Sequence, residues 1–576
     1  MNSDRRSLLI ALLIAGALWV GSTWSAGFSL DDHELLFRNP VIEGKLPWSA
    51  VFDRDYWHHQ SPAGHWRPLV GANFRIERAL FGEWAGGYHL TAVLAHLIVM
   101  AMAWSITTRL WPRPARITAS GRDPLLGGLL LLAVHPSLAD AVAWISGKTS
   151  AMSAIGGLLG AAWLCSLEGR EKTGDTRADE SQRSAQPSRF FVASLASFIG
   201  LALALMGKED GLIFAPVYLL IALRHSRKRA LSTLVGSATA IAAWLLARHA
   251  ALGVAFPTAP YALLDDISLL ERVSVGAVSF VNSAVLMLLP LPHSPTITAE
   301  TLRAESLDAR AWIVIGGTLL LIIIACVRVL RRHSKPTRGS ILPSLSLLLL
   351  IAAWLPHLQL IPSAELFAPR FLYLPLILGI PFFGQLASRV PKSIGVMLLG
   401  ILLPLSWQQA QTYHSRVSYW EQVLRFDSND ARAYNALGSI CMEGDEPDRA
   451  QEHFERALEI RPRYARALVN LGCLHMELER PFLAEDALLQ ATRLQPGNAK
   501  AWGNLGVLYL RQRMFEEAEL VYKQAVQKAP GIAALWRGLG RAQQELEQLE
   551  AARAAFTRAI ELDPSDRVSR EALQSL

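Results

Sequence analysis

Two adjacent carboxylates, Asp31 and Asp32, follow the first long apolar run of the chain by only a few residues. If that run crosses a membrane, both side chains lie near the membrane surface, within reach of a lipid headgroup. A carboxylate in this position can accept the proton of an acceptor hydroxyl as a general base. The same residues also fit a helix N-cap, in which Ser29 or the aspartates bind backbone N–H groups, so two interpretations remain open.

Cations follow in the same loop, residues 28–87. His65 and Arg67 belong to the types that bind a phosphate leaving group. The loop also carries the segment Asp55-Tyr56-Trp57-His58-His59. No glycine-rich cradle for a nucleotide phosphate is visible in the sequence, which agrees with a donor carried by a lipid. The loop therefore predicts a transfer reaction, with carboxylates on the acceptor and cations on the phosphate.

The composition indicates that membrane helices position this loop. The chain has 576 residues, of which 51% are hydrophobic and only 18% charged, against about 25% charged in soluble proteins. Residues 411–576 lack long apolar runs and carry 21 basic and 24 acidic residues, whereas residues 1–410 carry 35 and 25. The net charge of +7 is thus a membrane-flanking excess and no nucleic-acid footprint. A single soluble globule, a fibrous protein and a disordered chain are excluded, and four cysteines without paired spacing exclude a disulfide scaffold and a zinc set.

Eleven windows are long enough to cross a bilayer, which takes about 20 apolar residues. They are residues 7–25, 88–108, 124–145, 149–167, 189–207, 210–224, 230–250, 310–330, 341–361, 371–388 and 393–410. The first window is also compatible with a cleaved signal peptide.

Positive residues orient the chain. Arg5 and Arg6 place the N-terminus inside, so loop 28–87 lies outside. The basic cluster 328–338 stays inside only if the apolar stretch 274–292 is a re-entrant or interfacial helix, because exporting several arginines is unfavourable. The C-terminal region is then extracytoplasmic, which means periplasmic if the membrane is a bacterial inner membrane.

A repeat with the length of a tetratricopeptide (TPR) unit, about 34 residues, runs through residues 431–566. Leu-Gly pairs recur four times at this spacing, and so do two alanines, a large residue and a proline; the large residues are Phe454, Leu488, Tyr522 and Phe556. Residues 411–430 form a half-repeat and linker, and 567–576 a capping helix. Such an array predicts a binding surface for a protein or peptide, with a purely structural spacer as the alternative. Cys441 and Cys473, on adjacent first helices, are expected to be buried thiols and no disulfide.

The ordered motifs resemble those of the transmembrane and TPR-repeat-containing O-mannosyltransferases and their bacterial relatives, within the GT-C glycosyltransferase superfamily. The first-loop motifs are Asp31-Asp32, Arg38-Asn39-Pro40, Trp48, Phe52-Asp53-Arg54-Asp55-Tyr56-Trp57, His65-Trp66-Arg67-Pro68-Leu69, Asn73-Phe74, Gly87-Tyr88-His89 and His96. Later motifs are Ala133-Val134-His135-Pro136, Asp140 to Lys148, Lys208-Glu209-Asp210-Gly211 and Arg370-Phe371-Leu372-Tyr373-Leu374-Pro375.

The resemblance implies an inverting transfer from a polyprenyl-phosphate sugar. It implies that Asp32, or else Asp31, activates the acceptor hydroxyl. The donor-binding candidates that it supplies are His65, Arg67, Arg370, Lys208, Glu209 and His135. No cofactor or metal site is assigned, although the loop holds enough carboxylates for a divalent metal.

Each of these candidate residues also has a simpler structural interpretation. Arg370 could anchor a helix end by snorkelling, Lys208-Glu209 could form a plain polar turn, and His135-Pro136 could mark a helix kink. His96 is expected to make a structural hydrogen bond.

The chain also departs from the family pattern. Pro369 stands where a glutamate usually precedes the arginine, Asp140 replaces a glutamate, and Lys148 replaces an arginine. The last change loses bidentate phosphate geometry.

The sequence thus predicts an all-α chain with a membrane domain of about 11 helices, residues 1–410, and a C-terminal TPR solenoid. The predicted function is a membrane glycosyltransferase that moves a sugar, with a mannose-like hexose as one candidate, from a polyprenyl phosphate to a hydroxyl of a protein, glycan or lipid. The alternatives are a TPR membrane scaffold for envelope assembly and a transporter of lipid-linked sugar. A transporter predicts charges near mid-membrane, whereas the charges here gather at the outer ends.

Overall fold

The computed structural model describes residues 3–55, 65–112, 123–172, 189–253, 269–291, 293–295, 342–353, 368–564 and 566–576. Within these ranges every regular element is helical, which confirms the all-α prediction. The residues Tyr56 to His59, the window 310–330 and the basic cluster 328–338 lie outside the described residues. The chain divides into two compact units, Met1–Tyr419 and Trp420–Leu576.

The first unit contains fifteen α-helices within the described residues, of which six are long and apolar. In chain order they are α1 (Ser3–Thr23), α2 (Asp32–Phe37), α3 (Pro68–Phe81), α4 (Ala85–Leu110), α5 (Pro124–Val134), α6 (Ala139–Val142), α7 (Thr149–Lys172), α8 (Arg189–Gly207), α9 (Phe214–Leu223), α10 (Arg227–Leu252), α11 (Leu269–Leu288), α12 (Leu342–Ala352), α13 (Tyr373–Leu378), α14 (Ile380–Ala387) and α15 (Lys392–Gln411). A further helix, α16 (Arg416–Phe426), contains the boundary between the units.

Six of the described helices are long and apolar enough to cross a membrane, and eight elements qualify if two bent pairs each count as one span. The chain is therefore a multi-pass membrane protein. The predicted window 210–224 forms only the 10-residue helix α9, which is shorter than the roughly 20 residues of a span. Within the stretch 274–292, residues 274–288 belong to α11, and the described apolar part, Val278–Leu288, is likewise short.

Two predicted spans are broken. Window 124–145 bends by 53° between α5 and the residues Pro136–Val142. The expected kink at His135-Pro136 is thus confirmed, because proline cannot supply the N–H that a continuous helix needs. Window 371–388 bends by 76° between α13 and α14. Both breaks release backbone from the helical ladder, and the segments beside them carry side chains of the candidate site.

Small residues allow the spans of this unit to approach closely. A Cβ atom on Gly160 of α7 would lie 2.9 Å from the Cα of Gly200 on α8. Such close backbone approach replaces the hydrophobic effect as the main source of helix association in a lipid environment. Trp19 of α1 donates from Nε1 to the carbonyl of Ala133, 2.9 Å away, where the α5 helix is about to end.

The second unit contains four helix pairs and a final helix, as the repeat predicts. They are α17 (Ala431–Glu443), α18 (Pro447–Ile460), α19 (Ala465–Glu477), α20 (Pro481–Leu494), α21 (Ala499–Arg511), α22 (Phe515–Lys528), α23 (Ala533–Glu545), α24 (Leu549–Leu562) and α25 (Arg567–Ser575).

The glycine of each Leu-Gly pair lies against the large residue of the same repeat. A Cβ on Gly506 would approach the Tyr522 ring to 2.4 Å, and one on Gly438 would approach Phe454 to 2.6 Å. Only glycine therefore fits at these positions. Cys441 is a buried free thiol, as predicted, whereas the free thiol Cys473 is half-buried.

Candidate active site

The two aspartates differ sharply in exposure. Asp31 is half-buried, whereas Asp32, the first residue of α2, is completely buried. Oδ2 of Asp32 accepts from the backbone N–H of Ser29 at 3.0 Å and from its hydroxyl at 3.5 Å. Oδ1 accepts from the backbone N–H of Ser146 at 3.0 Å and from its hydroxyl at 2.5 Å. Burial raises the pKa of Asp32 to about 6, although the hydrogen bonds from Ser146 and Ser29 lower it in part.

The backbone before the pair is strained. Leu30 has a φ of +48°, in the left-handed region that a branched residue seldom occupies. Asp31 stands at the N-cap position of α2, but its side chain makes no capping hydrogen bond. Strain of this kind persists only where the surroundings enforce it, and Leu30 is bracketed by the hydrogen bonds between Ser29 and Asp32, which is itself bound to Ser146. A simple helix cap does not describe the pair.

The 3-10 helix Ser146–Lys148 lies under this loop. Its Lys148 forms a fully buried ion pair with Glu77 of α3 and lies over the Phe74 ring, 4.4 Å from its centroid. Lys148 also acts electrostatically on Asp32. Lys148, which stands where an arginine is usual, is thus bound to Glu77 and Phe74 as a structural cation. The loss of bidentate phosphate geometry therefore does not bear on its role.

A second cluster of charges gathers around Glu209, the first residue of the 3-10 helix Glu209–Ile213. Arg67, which precedes α3, donates to Glu209 Oε2 from Nη2 at 2.9 Å and from Nε at 3.3 Å. His65 Nδ1 lies 3.6 Å from Oε1, and Arg248 of α10 lies 3.5 Å from the same oxygen. Burial raises the pKa of Glu209, but Arg67 and His65 lower it more, so it lies well below its usual range. Three basic side chains thus converge on a single carboxylate.

Arg370 is held by Asp140. Its backbone N–H donates to Asp140 Oδ2 at 3.0 Å, and Nη1 donates to the same oxygen at 3.1 Å. Its guanidinium also lies over the Trp144 ring, 4.9 Å from the centroid. Arg370 is therefore fixed by a carboxylate and an aromatic face, which argues against a snorkelling side chain.

Lys208 connects these groups. Its Nζ donates to Ser150 Oγ at 3.0 Å and pairs with Asp210 at 3.1 Å. The Phe371 ring lies 5.3 Å from Lys208 Nζ and 5.8 Å from the Arg370 guanidinium carbon. The predicted cations Lys208 and Arg370 therefore flank one aromatic ring, although they are far apart in sequence.

His135 is the predicted donor-binding residue that the structure does not bring into this group. It is completely buried. Its Nδ1 accepts from the Ser137 backbone N–H at 3.2 Å, and its Nε2 lies 3.3 Å from the Met287 carbonyl. Both ring nitrogens are used by backbone, so His135 holds the helix break and lies apart from the other donor-binding candidates. His96, as expected, makes a buried hydrogen bond, with Nδ1 3.0 Å from the Tyr373 hydroxyl.

Sequence reasoning assigned no role to three participants: Arg248, Ser146 and Glu77. Arg248 lies within an apolar run, where a lone arginine would have been a usable signal. Ser146 lies inside the motif Asp140 to Lys148, which does not indicate its partner, and Glu77 carries no signal of its own because a glutamate is common in any helix. Among the described residues no group of three or more His, Cys, Asp or Glu is arranged to hold a metal ion.

Two family models match the C-terminal part of the chain. The one described as the middle TPR-like domain of cilia and flagella-associated protein 70 matches residues 406–528, and a tetratricopeptide repeat model matches residues 509–576. These matches support the TPR array that the repeat period predicts. Two solved structures are also similar: YrrB, described as a TPR protein with an unusual peptide-binding site, and MamA. YrrB is 23% identical, with a TM-score of 0.25 over 33% of this chain and 97% of its own. MamA is 23% identical, with a TM-score of 0.24 over 26% and 81%.

Three curated relatives are each named as a protein O-mannosyl-transferase. Protein O-mannosyl-transferase TMTC2 of Homo sapiens is 31% identical over 147 residues, which are 24% of this chain and 17% of the relative. Protein O-mannosyl-transferase Tmtc1 of Drosophila melanogaster is 28% identical over 138 residues, 23% and 15% of the two chains. Protein O-mannosyl-transferase TMTC4 of Homo sapiens is 26% identical over 216 residues, 35% and 28%. The matched region spans less than a third of each of these relatives. The chain is thus similar to the TPR-containing protein O-mannosyl-transferases, and the resemblance drawn from its motifs is confirmed.

Proposed function

We propose that the chain is a membrane glycosyltransferase that moves a sugar from a polyprenyl-phosphate donor to an acceptor hydroxyl on the extracytoplasmic face. One observation carries the proposal. Cations from three separate elements, Arg67, Lys208 and Arg370, are held by carboxylates close to the segment that also binds Asp32. An acid pair beside a set of fixed cations is what transfer from a phosphate requires.

The roles follow from exposure. Asp32 offers no free face, since it is completely buried and accepts four hydrogen bonds. Asp31 is half-buried. We therefore assign the general base to Asp31 and the positioning role to Asp32, which reverses the preference drawn from the sequence. The acceptor oxygen gives its proton to Asp31 and bonds to the anomeric carbon, while the sugar–phosphate bond breaks and its electron pair leaves with the polyprenyl phosphate.

An apolar cavity gives the lipid chain of the donor a place. It has a volume of about 120 Å³ and is lined by side chains of α11, α12, α13 and α14, together with Leu372. Leu372 is only two residues from Arg370, so a donor phosphate near Arg370 can direct its prenyl chain into this cavity. Burial of each CH₂ contributes about 0.8 kcal/mol, which favours a lipid over a nucleotide carrier.

The names of the relatives point to a mannose-like hexose and a protein acceptor. The TPR array is then the surface that binds the acceptor protein, in keeping with the use of such repeats as binding scaffolds. Acceptor binding by the array requires the second unit to be extracytoplasmic.

This orientation is tested with cysteines introduced at Lys45, in the first loop, and at Glu550, in the array. Each variant is treated with a membrane-impermeant thiol reagent. Both are expected to react in right-side-out vesicles.

The activity is tested by reconstitution into liposomes with polyprenyl-phosphate hexoses and hydroxyl-bearing peptides. Asp31→Asn and Asp32→Asn are each expected to lower the rate by at least about 100-fold. Asp53→Asn is the matched control, because Asp53 is an exposed carboxylate of the same loop. A wild-type rate in both variants would rule out catalysis by this pair and favour a TPR scaffold.

A further inference from the structure

The segment 146–150, Ser-Gly-Lys-Thr-Ser, contacts both halves of the candidate site. Ser146 donates two hydrogen bonds to Asp32, at 3.0 Å from its backbone and 2.5 Å from its hydroxyl. Ser150 Oγ accepts from Lys208 at 3.0 Å. The two serines are four residues apart, so one short piece of backbone connects the acceptor side to the donor side.

The residues between the serines fix this backbone from both sides. Lys148 forms its buried ion pair with Glu77, whose other oxygen accepts from Thr91 at 2.5 Å. Gly147 lies so close to α6 that a Cβ atom would come within 1.8 Å of the Asp140 carbonyl oxygen. Asp140 in turn holds Arg370. A shift of the segment would therefore also displace Asp140 and, with it, the donor-side cation Arg370.

All five residues of the segment are buried, and both serines face partners with formal charge. A hydrogen bond to a charged group contributes more than one between neutral groups, and it fixes direction as well as distance. Substrate placement is sensitive to errors of this size, since a displacement of about 1 Å can lower a rate on the order of 100-fold.

We propose that residues 146–150 are a positioning element that sets the distance between the acceptor-side aspartates and the donor-side cations, with Ser146 acting on the acceptor side and Ser150 on the donor side. The inference rests on the proposed function and deepens it. Neither serine touches the reacting atoms, so both are positioning residues.

The two sides can be separated kinetically. Ser146→Ala is expected to lower kcat on the order of 100-fold with the donor KM unchanged. Its acid limb of activity is expected to move to higher pH, because the hydroxyl hydrogen bond that is lost favours the ionised form of Asp32, whereas the backbone N–H of residue 146 still donates. The charged groups that face Asp32 are Lys148 and, through it, Glu77. Ser146→Ala retains both of them, and so does the second variant, Ser150→Ala. Ser150→Ala is expected to raise the donor KM about 10-fold and to leave the pH profile in place.

Ser137→Ala provides the control. Ser137 is completely buried in the neighbouring 3-10 helix Pro136–Leu138, and its hydroxyl has no hydrogen-bond partner among the described residues. This variant is expected to retain the wild-type kcat, donor KM and pH profile. If Ser146→Ala does not fold, Ser146→Cys replaces it, because cysteine has nearly the same shape and a weaker donor.

The full chain in liposomes is assayed for transfer and, separately, for binding of polyprenyl monophosphate without sugar. Ser150→Ala is expected to weaken this binding, and Ser146→Ala to leave it unchanged. An active wild type in which both variants change the same parameter, or in which neither differs from Ser137→Ala, overturns the inference alone. A wild type that neither transfers nor binds overturns the proposed function, and the inference falls with it.

Discussion

Arg370 is bound to Asp140 by its backbone N–H at 3.0 Å and by its guanidinium at 3.1 Å. Both residues are affected by departures from the pattern that the sequence resembles: Asp140 stands in place of a glutamate, and Arg370 follows Pro369, which stands where a glutamate is expected. The arginine loses its usual neighbour in sequence and is paired instead with a carboxylate from a distant part of the chain.

We predict a strong coupling between these two residues. Asp140 is 1% exposed, and removal of one partner of a buried pair typically destabilises by about 3–5 kcal/mol. Asp140→Ala and Arg370→Ala should each lower the free energy of unfolding by an amount of this order. The double variant should lose less than the sum, with a coupling of about 0.5–3 kcal/mol. Denaturant titration of the three variants in detergent measures this, and strict additivity would contradict it.

The buried Asp32 predicts a pH dependence of activity. Its pKa is raised to about 6, first by burial, against the lowering effect of its hydrogen bonds. Protonation turns one acceptor oxygen into a donor and breaks a bond to Ser146 or Ser29. Activity should therefore fall as the pH drops through about 6. A rate profile between pH 5 and 8, taken at saturating donor, provides the measurement; a flat profile would contradict it.

The same group predicts the pH dependence of stability with the opposite sign. Folding raises the pKa of Asp32 above its usual 3.8, so the folded state binds the proton more tightly than the unfolded state. Its contribution to stability is complete below about 4 and is lost as the pH rises to about 6. The full loss corresponds to about 3 kcal/mol. The unfolding midpoint of wild type should fall relative to that of Asp32→Asn over this interval, whereas parallel curves would contradict the prediction.

Close packing at Gly147 predicts a position that no other residue can fill. A Cβ there would lie 1.8 Å from the Asp140 carbonyl oxygen. Gly147→Ala must therefore displace backbone and should destabilise by at least about 1–3 kcal/mol. Gly400→Ala on α15 is the matched control, because a Cβ there meets nothing within 4 Å and alanine favours the helix by up to about 1 kcal/mol. Thermal unfolding midpoints should separate the two variants, and equal midpoints would count against the packing argument.

Two features of the fold could be predicted from the sequence: the repeated helix pairs and the apolar helices of membrane length. The repeat period predicted the TPR helices because each repeat meets the same packing problem, as the contact of Gly506 with Tyr522 shows. The membrane helices followed from apolar length. The bend in window 371–388 was not predicted from apolar length alone, although Gly379 lies at the break and Pro381 follows it.

The candidate site was predictable in part. Arg67 was predicted as a phosphate-binding cation of the first loop and Glu209 was a candidate that the resemblance supplied, and the structure pairs them at 2.9 Å. The pairing itself, and those of Asp140 with Arg370 and of Ser146 with Asp32, depend on how bent helices meet. No local pattern encodes these contacts, because each joins residues more than 100 positions apart. The proposal of Asp31 as the base rests on the complete burial of Asp32, and burial is likewise a tertiary property.

The TPR array offers a last prediction, at the starts of its first helices. The N-cap positions are Asp430, Tyr464, Asn498 and Ile532, which recur at the spacing of the repeat. Asp430 accepts from the N–H groups of Arg432 and Ala433 at 2.8 and 3.2 Å, and Asn498 caps its own helix in the same way. Ile532 makes no side-chain cap and is 43% exposed. The fourth repeat therefore begins with a helix whose first N–H groups lack a side-chain partner.

Ile532→Asp should supply that partner and stabilise the α23 helix by about 1 kcal/mol, whereas Asp430→Ala should destabilise α17 by a similar amount. Amide hydrogen exchange of the full chain, followed over Ala533–Glu545 and Ala431–Glu443, resolves the two helices locally. A change of about 1 kcal/mol alters the opening equilibrium roughly fivefold, so exchange in α23 should slow by about that factor and exchange in α17 should accelerate. Unchanged or faster exchange in α23 would mean that the exposed isoleucine packs against its surroundings more favourably than a capping carboxylate can compensate.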